Sequence, residues 1–97
     1  VDPGTPFQKV WRVKNIGTCT WTTDYYLDFD HGNKPGADMS GGRSYIDTEV
    51  RPGETYDLKL DLIAPVQAGV YQGFWNFYNA NNAPFAQLWV GIKVPAP

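Results

Sequence analysis

Apolar and polar residues alternate in short runs along most of this chain. The clearest run spans residues 56–62, where Leu58 and Leu60 are separated by charged residues. A period of two is that of a β-strand with one buried and one solvated face. Similar runs, which predict further strands, lie at residues 7–15, 25–30, 70–78 and 85–94. Eight prolines and ten glycines interrupt the alternation and helical periodicity is nearly absent, so the pattern predicts an all-β sandwich.

Two connections between these strands have a recognisable chemistry. Pro52-Gly53 predicts a tight turn, because proline presets φ and glycine takes the left-handed conformation. Residues 31–43 are polar and rich in glycine, which predicts a loop with Met39 as its one apolar anchor. The turn signals therefore lie between the alternating runs, as a sandwich of short strands requires.

The register of the last two predicted strands determines which aromatic side chains are buried. Asn81-Asn82 lies between these strands and predicts a two-residue turn, since Asn tolerates the positive φ of such turns. The pairs on the core face are then Trp75 with Leu88 and Phe77 with Ala86. The pairs on the outer face are Phe74 with Trp89 and Tyr78 with Phe85. A slip of one residue would instead turn Trp89 inward.

We predict that Phe74, Tyr78, Phe85 and Trp89 form an exposed aromatic patch and that this patch is the binding site. Exposed aromatic groups of this size usually mark an interface, because they leave apolar area in water. Trp and Tyr are also favoured binding anchors. The alternative is that the N-terminal segment or a neighbouring domain covers the patch.

The other large aromatic residues are predicted to be structural. Trp11, Trp21 and Trp75 are expected in the core, with Cys19 on the same inward face as Trp21. Tyr71 follows an Ala-Pro pair and a glycine, a context that resembles the tyrosine corner of Ig-like sandwiches. Because the hydroxyl of such a tyrosine bonds to nearby backbone, we expect Tyr71 to support the fold.

Length and charge restrict the possible functions. A chain of 97 residues is one domain, large enough to form a core without disulfides or metal. We place the domain at residues 7–94 and linkers at 1–6 and 95–97, and expect the isolated domain to be monomeric. The net charge of −2 gives no electrostatic case for nucleic acid. No apolar stretch approaches the roughly 20 residues needed to span a bilayer, so no membrane insertion is expected.

No cluster of residues points to catalysis or to a bound metal. His31 is the only histidine and the chain has a single cysteine, too few for a zinc site or a catalytic triad. The oxygen-rich run at 28–33 could suggest a calcium site. An EF-hand loop needs Glu at its twelfth position, however, and Met39 occupies that position here. Asp57 and Asp61 share a strand face that we expect to be solvated, which does not suit a catalytic pair. We expect no metal, no cofactor and no enzymatic activity.

Four motifs cover about Phe7 to Val94, nearly the whole chain. They are W-R-V-K-N-x-G-T-C-T-W, V-x-P-G-E-T, L-x-A-P-x-x-x-G-x-Y-x-G-x-W and W-V-x-I-x-V. These motifs resemble the four-tryptophan (FW) domain, the Ig-like domain of the next-to-BRCA1 autophagy receptors, which also occurs in bacterial multidomain proteins. The tryptophans of the family match Trp11, Trp21, Trp75 and Trp89. The resemblance implies an immunoglobulin-like β-sandwich of about seven antiparallel strands that binds other proteins and is not an enzyme.

The predicted function is that of a module in a larger protein that recognises a protein or peptide through loops and the aromatic patch. The edge strands offer a second mode, pairing with an extended peptide. A glycan-binding module, with Gln72, Asn76 and Gln87 around the rings, and a passive spacer are the alternatives. The Gly-Thr-Cys-Thr-Trp-Thr-Thr stretch resembles the bacterial members of the family more closely, which implies a module of an extracellular or cell-surface bacterial protein. The alternative is a cytosolic domain that recruits cargo for an autophagy receptor.

Overall fold

The computed structural model describes residues 1–96, which contain six β-strands and no α-helix. The strands are β1 (Pro6–Lys14), β2 (Tyr26–Gly32), β3 (Ser44–Tyr45), β4 (Thr55–Ile63), β5 (Gly69–Tyr78) and β6 (Pro84–Val94). The predicted all-β, Ig-like sandwich is confirmed, with six strands in these residues rather than about seven. Near Cys19 the chain forms only an isolated bridge, between Trp21 and Val50. Of the predicted linker at 95–97, residue 97 lies outside the described residues.

The six strands form two antiparallel sheets around one core. One sheet has the order β1–β4, and the other has the order β3–β2–β5–β6. The alternation in the sequence sorts side chains between core and solvent, so that Leu60, Leu62, Trp75 and Phe77 are at most 2 % exposed. Burial of each such side chain stabilises the fold by about 1.5–3 kcal/mol. The predicted turn at Pro52-Gly53 is also present, with Gly53 at φ +88°.

The loop at residues 33–43 covers one end of this core, which we call the closed end. Met39 is 1 % exposed, as predicted for its anchor, and Ala37 is buried beside it. The carbonyl oxygen of Met39 accepts a hydrogen bond of 2.8 Å from the N–H of Ile63. The loop lies against Gly73 so closely that a methyl group there would be 2.5 Å from the carbonyl oxygen of Ala37. This end of the sandwich is therefore tightly filled.

The β5–β6 hairpin follows the predicted register along most of its length. Trp75 pairs with Leu88, Phe77 with Ala86 and Phe74 with Trp89. The prediction that Tyr78 pairs with Phe85 is wrong, because a bulge shifts the register after Phe77 and Tyr78 pairs with Pro84. The bulge moves Phe85 away from the outer face.

The bulge arises from the turn, which is longer than the two residues predicted. The N–H of Asn82 donates to the carbonyl oxygen of Asn79 at 3.0 Å, and Asn82 has φ +62°. A tight turn followed by a residue in the left-handed conformation is a three-residue hairpin loop. The longer loop brings Asn79 opposite Ala83, so Phe85 is left as the extra residue before the register resumes at Phe77 and Ala86. The side chain of Asn79 stabilises it by accepting hydrogen bonds from the N–H groups of Asn81 and Ala83.

The aromatic residues predicted to be structural differ in burial. Trp75 is fully buried, and Trp21 is 8 % exposed. Tyr71 is 3 % exposed, and its hydroxyl donates to the carbonyl oxygen of Gln67 at 2.9 Å, as in a tyrosine corner. Trp11 packs against the core but is only half-buried. The core is therefore less complete at β1 than at β5.

Cys19 is exposed, which corrects the prediction that it belongs to the core. The physical reason is Asn15, a buried polar residue at the end of β1. Its side-chain amide donates to the carbonyl oxygens of Cys19 and Val50 at 2.8 Å and 3.0 Å. These bonds direct the backbone of Cys19 toward the core and leave its thiol outside.

Candidate interaction surface

The four-stranded sheet presents a face to solvent that carries rows of aromatic and polar side chains, and we call it the outer face. It is formed by every second residue of β2, β5 and β6, with Tyr45 of β3 at one edge. The alternation of these strands places the apolar residues of the core on the opposite side. Its principal side chains are Tyr26, Asp28, His31, Tyr45, Phe74, Asn76, Tyr78, Gln87 and Trp89.

One aromatic row crosses the sheet through His31, Phe74 and Trp89. The rings of His31 and Phe74 are stacked, with centroids 4.5 Å apart and planes at 11°. Trp89 follows Phe74 on the neighbouring strand and is 56 % exposed. Its indole lies over Gly91, since a methyl group there would be 3.0 Å from the ring. The glycine thus lets the indole lie along its own strand.

A second aromatic row contains Tyr45, Tyr26 and Tyr78. Tyr26 and Tyr78 are stacked, with centroids 4.8 Å apart and planes at 14°. Tyr45 is 54 % exposed and packs on Tyr26 at 5.2 Å. The guanidinium of Arg43 lies 4.3 Å from the ring centre of Tyr26 and bonds to the carboxylate of Asp28 at 3.1 Å. The hydrogen bond to Tyr45 is the main cause that raises the pKa of Arg43, and the hydrogen bond to Asp28 raises this pKa further. The guanidinium therefore remains a cation.

A polar strip separates the two aromatic rows. The side-chain amide of Gln87 donates to the side-chain oxygen of Asn76 at 3.1 Å and to Asp30 at 3.4 Å. The same carboxylate lies 2.7 Å from Nδ1 of His31. These side chains form one hydrogen-bonded network across three strands, which fixes their positions before any partner arrives.

The stacking geometry determines what the rows offer to a partner. Neighbouring strands lie about 4.8 Å apart, the same spacing as the stacked ring pairs. The rings are therefore stacked along the direction that joins the strands, so that the faces of each stacked pair cover one another. Tyr26 is only 4 % exposed in the middle of its row, so a partner would meet mainly Tyr45 and Trp89, which are more than half exposed.

The structure brings together only part of the predicted patch. Phe74, Tyr78 and Trp89 share the outer face. Phe85 lies instead against Phe77, with ring centroids 5.0 Å apart, on the inner side of the sheet. The sequence reasoning missed Tyr45 as a member of the face, since its strand has only two residues and shows no alternation.

Comparison with known proteins decides the family. The model of the family described as the Ig-like domain from next to BRCA1 gene matches residues 1–94. The chain belongs to this family. The resemblance to the four-tryptophan domain is thereby confirmed, and the family is one of non-catalytic Ig-like domains in larger proteins.

Similar proteins share this next-to-BRCA1 Ig-like domain across animals, plants and fungi. Protein ILRUN of Danio rerio is 32 % identical over 97 % of the chain, which covers 32 % of that protein. The NBR1 homolog of Arabidopsis thaliana is 29 % identical over 99 % of the chain, covering 14 % of its length. The autophagy receptor Nbr1 of Schizosaccharomyces pombe is 27 % identical over 98 % of the chain, covering 25 %. The chain thus spans a third or less of each of these relatives.

Within residues 1–96, no three His, Cys, Asp or Glu side chains are grouped so that they could hold a metal ion. Asp28, considered above as a calcium ligand, is bonded to Arg43 instead. The same residues include no helix long and apolar enough to cross a membrane.

Proposed function

We propose that this domain is a non-catalytic interaction module that binds a protein or peptide on the outer face of its four-stranded sheet. One observation carries the proposal: two aromatic rows, each with one stacked ring pair, flank a hydrogen-bonded polar strip, while Trp89 and Tyr45 remain more than half exposed. Exposed aromatic side chains in a rigid setting bind with little loss of conformational entropy. The surface therefore has the anchors and the order that a protein interface needs.

The orientation of the rings favours a protein partner over a glycan. A sugar stacks on the flat face of a ring, whereas the faces of the stacked pairs here cover one another. The amides of Asn76 and Gln87, which were expected to bind sugar hydroxyls, bond to each other. Trp89 alone offers a ring face beside its own strand.

The name of one relative also supports an interaction role. The similar protein of Schizosaccharomyces pombe is named an autophagy receptor, and receptors act by binding other proteins. We propose that this domain supplies a binding surface of that kind to its parent protein. A cargo-recruiting role in such a receptor is the finer form of the proposal.

The test compares Trp89→Ser with Val66→Ser as a matched control, since Val66 is 78 % exposed but lies outside the outer face. Both variants and the wild type are screened against a phage-displayed library of protein fragments and against a glycan array. We expect fragments selected by the wild type to bind Trp89→Ser at least about tenfold more weakly, as for the loss of an interface anchor. Val66→Ser should retain their affinity.

Two results would contradict the proposal. Fragments that bind all three proteins equally would show that the outer face is not the site. Selection of glycans alone, with loss in Trp89→Ser, would assign the face to carbohydrate. Circular dichroism and thermal melts of each variant exclude misfolding as the cause of lost binding.

A further inference from the structure

The end of the sandwich opposite the closed end is not filled, and we call it the open end. There a groove of about 630 Å³ lies between β1 and β6. The side chains of Trp21, Leu58 and Phe77 lie deepest, and Phe85 and Leu88 form the wall on the side of β6. Phe85 is 47 % exposed although it contacts Trp21 and Phe77. The bulge in the hairpin has placed an apolar side chain at the rim of this groove.

Both walls of the groove are edges of sheets. Within residues 1–96, β1 pairs only with β4 and β6 pairs only with β5. The N–H of Asn15 donates to the carbonyl oxygen of Glu54, next to the start of β4. Successive residues of a strand direct their backbone groups to opposite sides, so the N–H and C=O of Arg12 and Lys14 point away from β4, toward the unpaired edge of β1. An unpaired strand edge is a template for another strand. The open end therefore offers backbone hydrogen bonds as well as apolar surface.

The inner side of β1 is only half covered. Phe7, Trp11 and Val13 all pack against the core, yet none of them is fully buried. Side chains that stand at alternate positions along an edge strand can be covered by alternate side chains of an added strand. The groove thus matches an extended segment whose apolar residues repeat with a period of two.

The charge at the groove favours an acidic segment. Lys14 is the one charged residue that lines it, with its side chain on the solvent side of β1, and no Asp or Glu lines it. Lys9 lies nearby on the inner side of β1, with its ammonium 5.8 Å from the ring centre of Trp11. Neither lysine takes part in the ion pairs found in residues 1–96. Unpaired lysines on this edge strand, one of them at the groove, attract carboxylates and disfavour a basic partner.

We propose that the open end is a second binding site, which receives an extended, apolar and acidic peptide as an added strand along β1. The proposal rests on the chain being an interaction module and deepens that function with a separate site and a class of ligand. Backbone bonds to Arg12 and Lys14 hold the peptide, alternate side chains enter the groove against Trp21 and Phe85, and a carboxylate meets Lys14.

The test begins with a phage-displayed library of random peptides about as long as the nine residues of β1. We expect the wild type to select peptides with alternating apolar residues and at least one Asp or Glu. Lys14→Glu should shift the selection toward peptides with Lys or Arg, because it reverses the charge without altering the groove. Trp89→Ser should select the same peptides as the wild type. Because Lys14 is exposed, we expect Lys14→Glu to fold like the wild type.

Cys19 supplies an independent measurement, because it lines the groove and is the only cysteine. A synthetic copy of the selected peptide, at about ten times its Kd, should slow alkylation of Cys19 by iodoacetamide about tenfold. The same peptide methylated on alternate backbone nitrogens should give no protection, since it cannot pair with the edge. Phe85→Ala should weaken the unmethylated peptide by about tenfold.

Each contrary result has a separate meaning. Equal binding of the methylated peptide, or an unchanged selection by Lys14→Glu, would overturn strand addition at β1. Loss of the selected peptides in Trp89→Ser alone would move them to the outer face, which keeps the proposed function and removes this site. A dimer of the free domain in which Cys19 is protected would assign the groove to a second copy and overturn the proposal.

Discussion

The two ends of this sandwich are built from the same strands but are filled to different degrees. At the closed end, Met39 and Ala37 of the loop at 33–43 are buried, and Gly41 of the same loop lies close to the indole of the fully buried Trp75. At the open end, Phe85 and Trp21 border a groove of about 630 Å³. The strands of a small sheet protein therefore need not enclose its core completely. One end depends on a loop, and the other end leaves apolar area free for an added partner.

The largest expected effect tests how tightly the closed end is filled. Gly73→Ala would place a methyl group 2.5 Å from the carbonyl oxygen of Ala37 and 2.7 Å from the indole of Trp75. Overpacking of this kind costs about 1–3 kcal/mol or more, so we expect a marked fall in the free energy of unfolding. Gly42→Ala is the control, because a methyl group at Gly42 would meet no atom within 4 Å.

Denaturant titration of both glycine variants gives the free energy of unfolding. Equal stability of Gly73→Ala and Gly42→Ala would mean that the loop at 33–43 can move to accommodate the added methyl group at little cost. The closed end would then be no more rigid than the open end, and the contrast between them would fail.

A second pair of variants compares the two ends directly. Met39→Ala removes a side chain that is 1 % exposed, and Phe85→Ala removes one that is 47 % exposed. We expect a loss of about 2–5 kcal/mol for Met39→Ala, because it leaves a cavity in a filled core. Phe85→Ala should cost less than about half as much, since the groove already admits water.

Thermal and chemical unfolding of these two variants measure the difference. A loss for Phe85→Ala as large as that for Met39→Ala would show that the open end is as well packed as the closed end. In that case the groove would be a structural part of the core rather than a binding site.

The smallest effect concerns an ion pair on the exposed side of β1 and β4. Arg12 and Asp57 are 3.0 Å apart, and the hydrogen bond from Arg12 lowers the pKa of Asp57 below its ordinary value of 3.8. A carboxyl group with a lowered pKa in the folded state stabilises it at higher pH. This contribution is present above pH 3.8 and is lost as the pH falls through the lower folded value.

Unfolding of the wild type and of Asp57→Asn at several pH values isolates the ion pair. The wild type should be slightly more stable at neutral pH, and the difference should vanish in acid. High salt should also reduce it, because both side chains are exposed. A difference that persists in acid would show that Asp57 acts through something other than its charge.

Most of the fold could be predicted from the sequence because its strands alternate. The alternation of Leu58, Leu60 and Leu62 identified β4 and its buried side, and the same pattern identified the outward direction of Phe74 and Trp89. These predictions depend on a local period that the sheet cannot change without exposing its core.

The errors occur where a single local interaction changes the backbone. The pair Asn81-Asn82 is compatible with turns of two or three residues, and the side chain of Asn79 stabilises the longer one. That extra residue moved Phe85 from the outer face to the groove. Cys19 was misplaced for a similar reason, since the contacts of Asn15 are formed with Val50, far away in the sequence. Long-range contacts of this kind leave no period in the sequence.

The four tryptophans have a consequence for spectroscopy. Trp89 lies on the outer face, Trp21 lies in the groove, and Trp75 is fully buried beneath the loop at 33–43. If fluorine is incorporated into the indoles, each ring has its own magnetic environment and gives its own resonance. The domain therefore carries one native reporter for each surface, together with an internal reference that solvent does not reach.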